Sequence, residues 1–186
     1  AEMAALVDES HRLRKKVAVH CHGDQAAREA IEAGVDSIEH GSFMKPETLQ
    51  LMKAKGTYLV PTLLATEYIM SKIDSYPAAL QAKARAAGAA RSEMFRNAVK
   101  IGVKIALGTD AGVFPHGDNA KEFALMVGLD LQPIDALRSG TSKKQDLMGI
   151  AQAVCQIETG RPDDLVQLHH YPTQDINAAD HQRLLP

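Results

Sequence analysis

Helical segments and short apolar runs alternate along the first 110 residues of the chain. Three of the apolar runs follow a glycine, at Gly34, Gly56 and Gly102. Glycine is the residue that most often takes the left-handed conformation at the end of a helix. The pattern predicts four strands, at residues 17–21, 35–39, 57–61 and 103–108. Because the runs are almost continuously apolar and separated by helices, they predict an α/β fold with a parallel sheet.

The same periodicity places the helices. They are predicted at residues 25–32, 46–54, 78–90 and 91–100, with another after Pro133. Between the third and fourth strands, residues 71–77 are predicted to form a loop or lid. Residues 3–13 carry an amphipathic helical pattern at the very start of the chain, which favours the interpretation that the chain is a piece of a longer protein.

Polar residues stand where the predicted strands end. His20 and His22 close the first strand, His40 closes the second and Asp110 closes the fourth. In parallel α/β folds the carboxyl ends of the strands meet at one edge, where chemistry gathers. His20 and His22 point to the same side of an extended chain, and neutral imidazole is a good zinc ligand. These residues favour a metal site, with hydrogen-bonded histidines and an ordinary turn at Asp110 as the simpler alternatives.

Three further side chains lie close to the predicted strand ends. Tyr68 follows the third strand, and His116 lies in the loop after the fourth, so both are candidate substrate contacts. His116 could equally cap the helix that starts near Asn119. Cys21 lies between the two histidines and is predicted to face the outer helices as a small apolar side chain.

Composition narrows the class of protein. The 186 residues are 45% hydrophobic and 24% charged, which is ordinary for a globular protein and excludes a disordered, collagen-like or disulfide-stapled chain. A net charge of -2 shows no basic excess, so no nucleic-acid partner is expected. No apolar stretch approaches the ~20 residues of a membrane span, so no membrane association is expected either. No leader is visible, and two cysteines leave the compartment open, cytoplasmic or exported.

Four stretches combine the strand-end residues with characteristic neighbours. They are VAVHCHG at 17–23, GVDSIEHG at 34–41, ALGTDAG at 106–112 and PHGDNA at 115–120. Together they resemble the metal-dependent amidohydrolase superfamily, in particular its imidazolonepropionase-related branch. That branch includes dipeptidases and carboxypeptidases that act on Xaa-Pro or Xaa-Arg/Lys peptides, and relatives that cleave ochratoxin-like amides. A weaker match is found at residues 157–166.

The resemblance implies a fold and a set of roles. Residues 1–150 would be strands five to eight of a (β/α)8 TIM-type barrel with their helices, and residues 151–186 a tail returning to the family's small β domain. It implies that His20, His40 and Asp110 bind a divalent metal, zinc above all, and that Asp110 is also the general base. His22 matches no universal ligand of the family and is expected to contact substrate.

Two family features are absent from the chain: the His-x-His pair of the first strand and the lysine of the fourth. A complete barrel needs ~250 residues, so the chain is expected to be a fragment incomplete for catalysis. The expected parent activity is metal-dependent hydrolysis of amide or peptide bonds, in the manner of a dipeptidase or carboxypeptidase, on a small molecule or dipeptide.

Two alternatives to this function stay open. One is a non-catalytic half-barrel remnant or interaction module. The other is a metal-free α/β enzyme whose strand-end histidines bind an anionic substrate. The strand edges that a half-barrel exposes predict aggregation, a homo-oligomer formed through the open edge, or a need for the missing half.

Overall fold

Four parallel strands form one sheet in the computed structural model of the chain, which describes residues 1–150, 166–167, 171–176 and 183–184. The strands are β1 (Ala18–Cys21), β2 (Ser37–His40), β3 (Tyr58–Val60) and β4 (Lys104–Ile105), and they lie in the order β1-β2-β3-β4. Each strand pairs with its neighbour in the chain, and the connection contains one helix between β1 and β2 and between β2 and β3, but two between β3 and β4. The predicted α/β fold with a parallel sheet is confirmed.

Helices connect and follow these strands. They are α1 (Glu2–Arg12), α2 (Asp24–Ala33), α3 (Pro46–Lys55), α4 (Leu63–Ser71), α5 (Ala78–Ile101), α6 (Lys121–Gly128), α7 (Pro133–Gly140) and α8 (Ser142–Met148). Short 3-10 turns occupy Ile73–Ser75 and Asp118–Ala120. The glycines predicted to end α2, α3 and α5 all adopt the left-handed conformation, with φ of 92° at Gly34, 75° at Gly56 and 84° at Gly102. Each of these turns is followed by the predicted strand.

The main core lies between the sheet and the helices. One cross-strand row, formed by Val19, Ile38, Leu59 and Ile105, faces the helices and belongs to this core. Phe95 of α5 packs there with its side chain fully buried. Burying one such side chain contributes about 1.5–3 kcal/mol, so this row anchors the helices to the sheet.

Three sequence-based boundaries differ from the structure. The fourth strand was expected to cover 103–108 but ends at Ile105: the amide of Ala106 still bonds to the carbonyl of Leu59, and Pro61, which follows β3, has no amide proton to continue the ladder. The helices expected at 78–90 and 91–100 are one continuous helix, α5, since no residue there interrupts helical hydrogen bonding. The expected loop at 71–77 is shorter, since α4 reaches Ser71 and a 3-10 turn follows.

The chain after residue 150 is described in part. Strands β5 (Val166–Gln167) and β6 (Arg183–Leu184) pair in antiparallel fashion. The remainder of the predicted tail at 151–186, including the match at 157–166, lies outside the described residues, apart from 171–176. Within the described ranges, no helix has both the length and the apolar character needed to cross a membrane.

Candidate active site

Three imidazole rings meet at the carboxyl ends of β1 and β2. His20 and His40 belong to the strands, and His22 comes directly after β1. The ring centroids of His20 and His40 are 4.5 Å apart, and that of His22 lies 4.9 Å from each. The nitrogen atoms that could bind an ion all lie within 4.8 Å of one another. We call His20, His22 and His40 the imidazole cluster.

The backbone at His40 explains how its ring reaches the cluster. In the ladder between β1 and β2, His40 is paired with Cys21 and not with His20, so regular strand geometry would direct it toward the helices. His40 instead has a φ of 71°, in the left-handed region that a non-glycine residue adopts only at some cost in energy. Thr62 and Asp110, which follow β3 and β4, share this conformation with φ of 49° and 57°. The chain therefore turns sharply at the end of β2, two residues after β3 and, contrary to the expectation that Asp110 closes the fourth strand, five residues after β4.

Hydroxyl groups hold two of the rings. The Nδ1 atom of His40 lies 2.6 Å from the Oγ1 atom of Thr62, and that of His22 lies 2.9 Å from the Oγ atom of Ser42. His40 and both hydroxyl residues are buried, whereas His20 is exposed. The Nδ1 contacts leave the Nε2 atoms of His22 and His40 for other partners.

Arg91 of α5 lies behind both hydroxyl residues with its side chain buried. Its Nε atom donates to the Oγ atom of Ser42 at 3.1 Å, and its Nη1 atom donates to the carbonyl of Thr62 at 3.1 Å. The same Nη1 atom also donates to the hydroxyl of Thr66 on α4. One guanidinium thus joins the loop after β2, the loop after β3 and helix α4.

This environment keeps the buried imidazoles neutral. Burial, together with the charges of Arg91 and the neighbouring imidazoles, lowers the pKa of His40 to about 4. Burial, Arg91 and His20 also lower the pKa of His22. Both rings therefore keep a lone pair at neutral pH, which suits metal binding or hydrogen bonding and argues against a permanent anion site made of imidazolium groups.

A buried carboxylate lies on the other side of Arg91. Glu122 of α6 is completely buried and accepts hydrogen bonds from the amides of Leu63 and Leu64, at 2.8 and 2.7 Å. These amides open α4 directly after Thr62, so Glu122 caps that helix. Burial raises the pKa of Glu122 to about 7, against the effects of the two amides and of Arg91.

Two acidic side chains lie near the open side of the cluster. Asp110 is exposed, and its charge acts on His40, Glu39 and Arg91. Among the described residues, the ligand atoms that lie within 4.8 Å of one another are those of the three imidazoles, and the carboxylate of Asp110 is not part of that group. Burial and the charge of Asp110 raise the pKa of Glu39, whose Oε1 atom accepts a hydrogen bond from Ser37 at 2.6 Å.

The other sequence-based candidates lie around the cluster or away from it. Tyr68 is half-buried on α4, 6.3 Å from Phe114 between ring centroids, and its hydroxyl contacts Lys72 Nζ at 2.6 Å. His116 is exposed in the loop between β4 and α6. No described hydrogen bond or ring contact joins either residue to the imidazoles. Cys21 is buried in the helix-facing core, as predicted.

Sequence reasoning missed four residues that support the cluster: Ser42, Thr62, Arg91 and Glu122. Thr62 could have been found, because it follows the third strand just as the histidines follow the first two. Ser42 lies two positions after His40 and looks like a turn residue. Arg91 and Glu122 have no local signal, since each resembles an ordinary charged residue of an exposed helix.

Comparisons with known proteins agree with this geometry. The model of the amidohydrolase family matches residues 1–183. The ochratoxinase of Aspergillus niger is 32% identical over 179 residues, which are 94% of this chain and 37% of that protein. The crystal structure of a Xaa-Pro dipeptidase with bound methionine superimposes with a TM-score of 0.91 at 40% identity, covering 97% of this chain and 45% of that one. The crystal structure of the A. niger ochratoxinase gives a TM-score of 0.82 at 28% identity, covering 97% of this chain and 41% of that one.

The chain thus spans less than half the length of the relatives that it matches. The match nevertheless extends over almost the whole of this sequence and includes the strand ends that carry the imidazole cluster. The chain belongs to the amidohydrolase family.

Proposed function

We propose that this chain forms part of a metal-dependent hydrolase of amide or peptide bonds. The observation that carries the proposal is the imidazole cluster, in which three rings from two neighbouring strands bring possible ligand atoms within 4.8 Å of one another. Catalytic groups gather at this end of the strands in parallel α/β enzymes. The four strands would correspond to strands five to eight of a (β/α)8 barrel, and the remaining strands would come from the rest of a longer protein.

The residues present fit a divalent cation, for which we propose zinc. His20 and His40 would hold it together with Asp110, a combination of imidazole and carboxylate ligands that zinc accepts. The pKa of about 4 at His40 supports this assignment, because an imidazole must be deprotonated to bind a metal. Zinc bound there would activate a water molecule and polarise the scissile carbonyl group.

Asp110 would act as the general base. Its carboxylate is exposed at the mouth of the site, where a substrate water has access to it. In this position it would take a proton from water during attack and pass it to the leaving amine, as a carboxylate with an accessible oxygen can. Asp110 lies in the loop five residues after β4, where its backbone takes the left-handed conformation.

Three residues are proposed to contact the substrate: His22, Tyr68 and His116. His22 is best supported, since its ring belongs to the imidazole cluster. The names of the relatives, a Xaa-Pro dipeptidase and an ochratoxinase, support a dipeptide or a small amide as the substrate class. This activity is proposed for the longer protein, and the chain by itself is expected to show little or no hydrolase activity.

Titration of zinc into the metal-free chain, measured by calorimetry, tests the metal site. We expect His40→Ala to weaken zinc binding at least about tenfold, because it removes one of the three proposed ligands. His11→Ala serves as the matched control, since His11 contacts Asp36 at the other end of the strands and should leave the affinity unchanged. A folded wild-type chain that binds no zinc, or equal affinities for wild type and His40→Ala, would contradict the proposal.

A further inference from the structure

Two hydroxyl groups contact the imidazole cluster, and each has a second partner that fixes the direction of its hydrogen bonds. The Oγ1 atom of Thr62 lies 2.6 Å from Nδ1 of His40 and 2.8 Å from the carbonyl oxygen of Pro61. The Oγ atom of Ser42 lies 2.9 Å from Nδ1 of His22 and 3.1 Å from Nε of Arg91. A hydroxyl group has a single proton to donate, so its second partner decides where that proton goes.

At Thr62 the second partner is an obligatory acceptor. The carbonyl of Pro61 can only accept, and it therefore takes the hydroxyl proton of Thr62. The oxygen of Thr62 then accepts a proton from Nδ1 of His40. Neutral His40 consequently carries its proton on Nδ1 and keeps a lone pair on Nε2, which is the state in which an imidazole binds a cation.

At Ser42 the second partner is an obligatory donor. The Nε atom of Arg91 carries a proton and can only donate, so the oxygen of Ser42 accepts it. The hydroxyl proton of Ser42 is left to point at Nδ1 of His22, and Ser42 is completely buried, so solvent offers no other acceptor. Neutral His22 consequently carries its proton on Nε2, where it can donate a hydrogen bond but cannot bind a cation.

We propose that Arg91 is a positioning residue, which acts through Ser42 to hold His22 in the Nε2–H tautomer. His22 is thereby reserved as a hydrogen-bond donor to a substrate oxygen, and the metal is left to the other two rings of the cluster. These two roles rest on the proposed function, whereas the proton positions belong to the metal-free chain and do not depend on it.

The surroundings of Arg91 keep its charge and its position constant, as its proposed action on Ser42 requires. Its guanidinium stays protonated at every pH of interest, so the hydrogen bond to Ser42 keeps its direction. The Nη1 contacts with Thr62 and Thr66 hold the side chain from the side of α4, and buried Glu122 supplies a negative charge above its pKa of about 7.

Nitrogen NMR of the histidine side chains in the metal-free, full 186-residue chain at pH 8 tests the proposal. We expect His22 protonated on Nε2 and His40 on Nδ1, each in at least about fivefold excess, because the opposite tautomer places two donors or two acceptors face to face in a buried site. Arg91→Met should remove the excess at His22, and Arg91→Lys, which keeps a cationic donor, should restore it. His40 serves as an internal control, since the Pro61 carbonyl and not Arg91 sets its tautomer.

Wild-type His22 protonated on Nδ1 would overturn the proposal, as would a folded Arg91→Met variant with an unchanged His22 tautomer. If Arg91→Met does not fold, Ser42→Ala replaces it and should likewise reduce the excess at His22 and leave His40 unchanged. The readout is separate from zinc binding and hydrolysis. A chain with the expected tautomers and no zinc affinity would therefore refute the proposed function alone.

Discussion

Asp36 shows how a single side chain supports the sheet at the end opposite the imidazole cluster. It precedes β2, and its carboxylate accepts hydrogen bonds from His11 at 2.8 Å, Lys16 at 2.9 Å and the amide of Val17 at 2.8 Å. Burial by itself raises the pKa of Asp36, but the hydrogen bonds from Lys16, His11 and Val17 outweigh it, so the pKa lies below its usual value. The residue thus ties the entry of β1 to that of β2.

We expect Asp36→Asn to lower the free energy of unfolding at pH 7 by about 1–3 kcal/mol, the range for hydrogen bonds to a charged group. Because the pKa is lowered in the folded state, this contribution is present above the unfolded pKa of about 4. It is lost as the pH falls through the folded pKa. Urea unfolding at pH 7, 5 and 3 should therefore show the difference between wild type and variant shrinking toward acid.

The control for this prediction is Asp74→Asn. Asp74 also faces an arginine, but its side chain is 93% exposed, so the substitution should leave the unfolding curve unchanged. A difference between wild type and Asp36→Asn that stays constant from pH 7 to pH 3 would show that the carboxylate charge is not what stabilises this end of the sheet.

At the scale of elements, α4 depends on a cap that comes from a distant helix. The residue before it, Thr62, provides no side-chain cap, because its hydroxyl is used by His40 and Pro61. Glu122 of α6 instead accepts the first two amide protons of α4. The position of α4, and with it of Thr62 and Tyr68, is therefore coupled to the packing of α6.

We expect Glu122→Ala to lower the free energy of unfolding by about 2–4 kcal/mol, since it leaves one buried and one partly buried amide without acceptors and also creates a cavity. Hydrogen exchange should accelerate first at the amides of Leu63 and Leu64. Glu93→Ala, an exposed glutamate of α5, is the matched control and should have little effect. Unchanged exchange at Leu63 and Leu64 in a folded Glu122→Ala chain would show that another group caps α4.

At the scale of the whole molecule, the sheet has two outer edges among its four described strands. β1 and β4 each pair on one side only, and the exposed residues of β1 include Ala18 and His20. Unpaired strand edges promote association with other chains. The interpretation of the sheet as half of a barrel leads to the same expectation, because the missing strands would cover these edges.

We therefore expect the isolated chain to form dimers or larger assemblies in light scattering after size exclusion. Ala18→Lys places a charge on the exposed edge strand and should shift the chain toward monomer. Ala26→Lys introduces the same charge on an exposed position of α2 and should not change the assembly. A wild-type chain that is monomeric at high concentration, or an equal shift by both variants, would contradict association through the β1 edge.

The sequence by itself determined the features that depend on neighbouring residues. The helix-ending glycines, the apolar runs and the polar residues His20, His40 and Asp110 that follow those runs are local patterns, and they led to the α/β fold and to the family. Periodicity could not give the end of β4, because it depends on the pairing with β3. It also divided α5, whose local hydrogen bonds run without a break from Ala78 to Ile101.

Only the tertiary structure decided how the imidazole cluster is supported. Arg91 lies 49 residues from Ser42 and 29 from Thr62, and Glu122 lies 59 residues from Leu63. No pattern within one helix distinguishes these buried charges from solvated ones, since burial results from the packing of α4, α5 and α6 against one another. The proton position on His22 follows from such a long-range contact, because Arg91 directs the hydroxyl of Ser42. That on His40 follows from the carbonyl of Pro61, the neighbour of Thr62, once folding brings the ring to the hydroxyl.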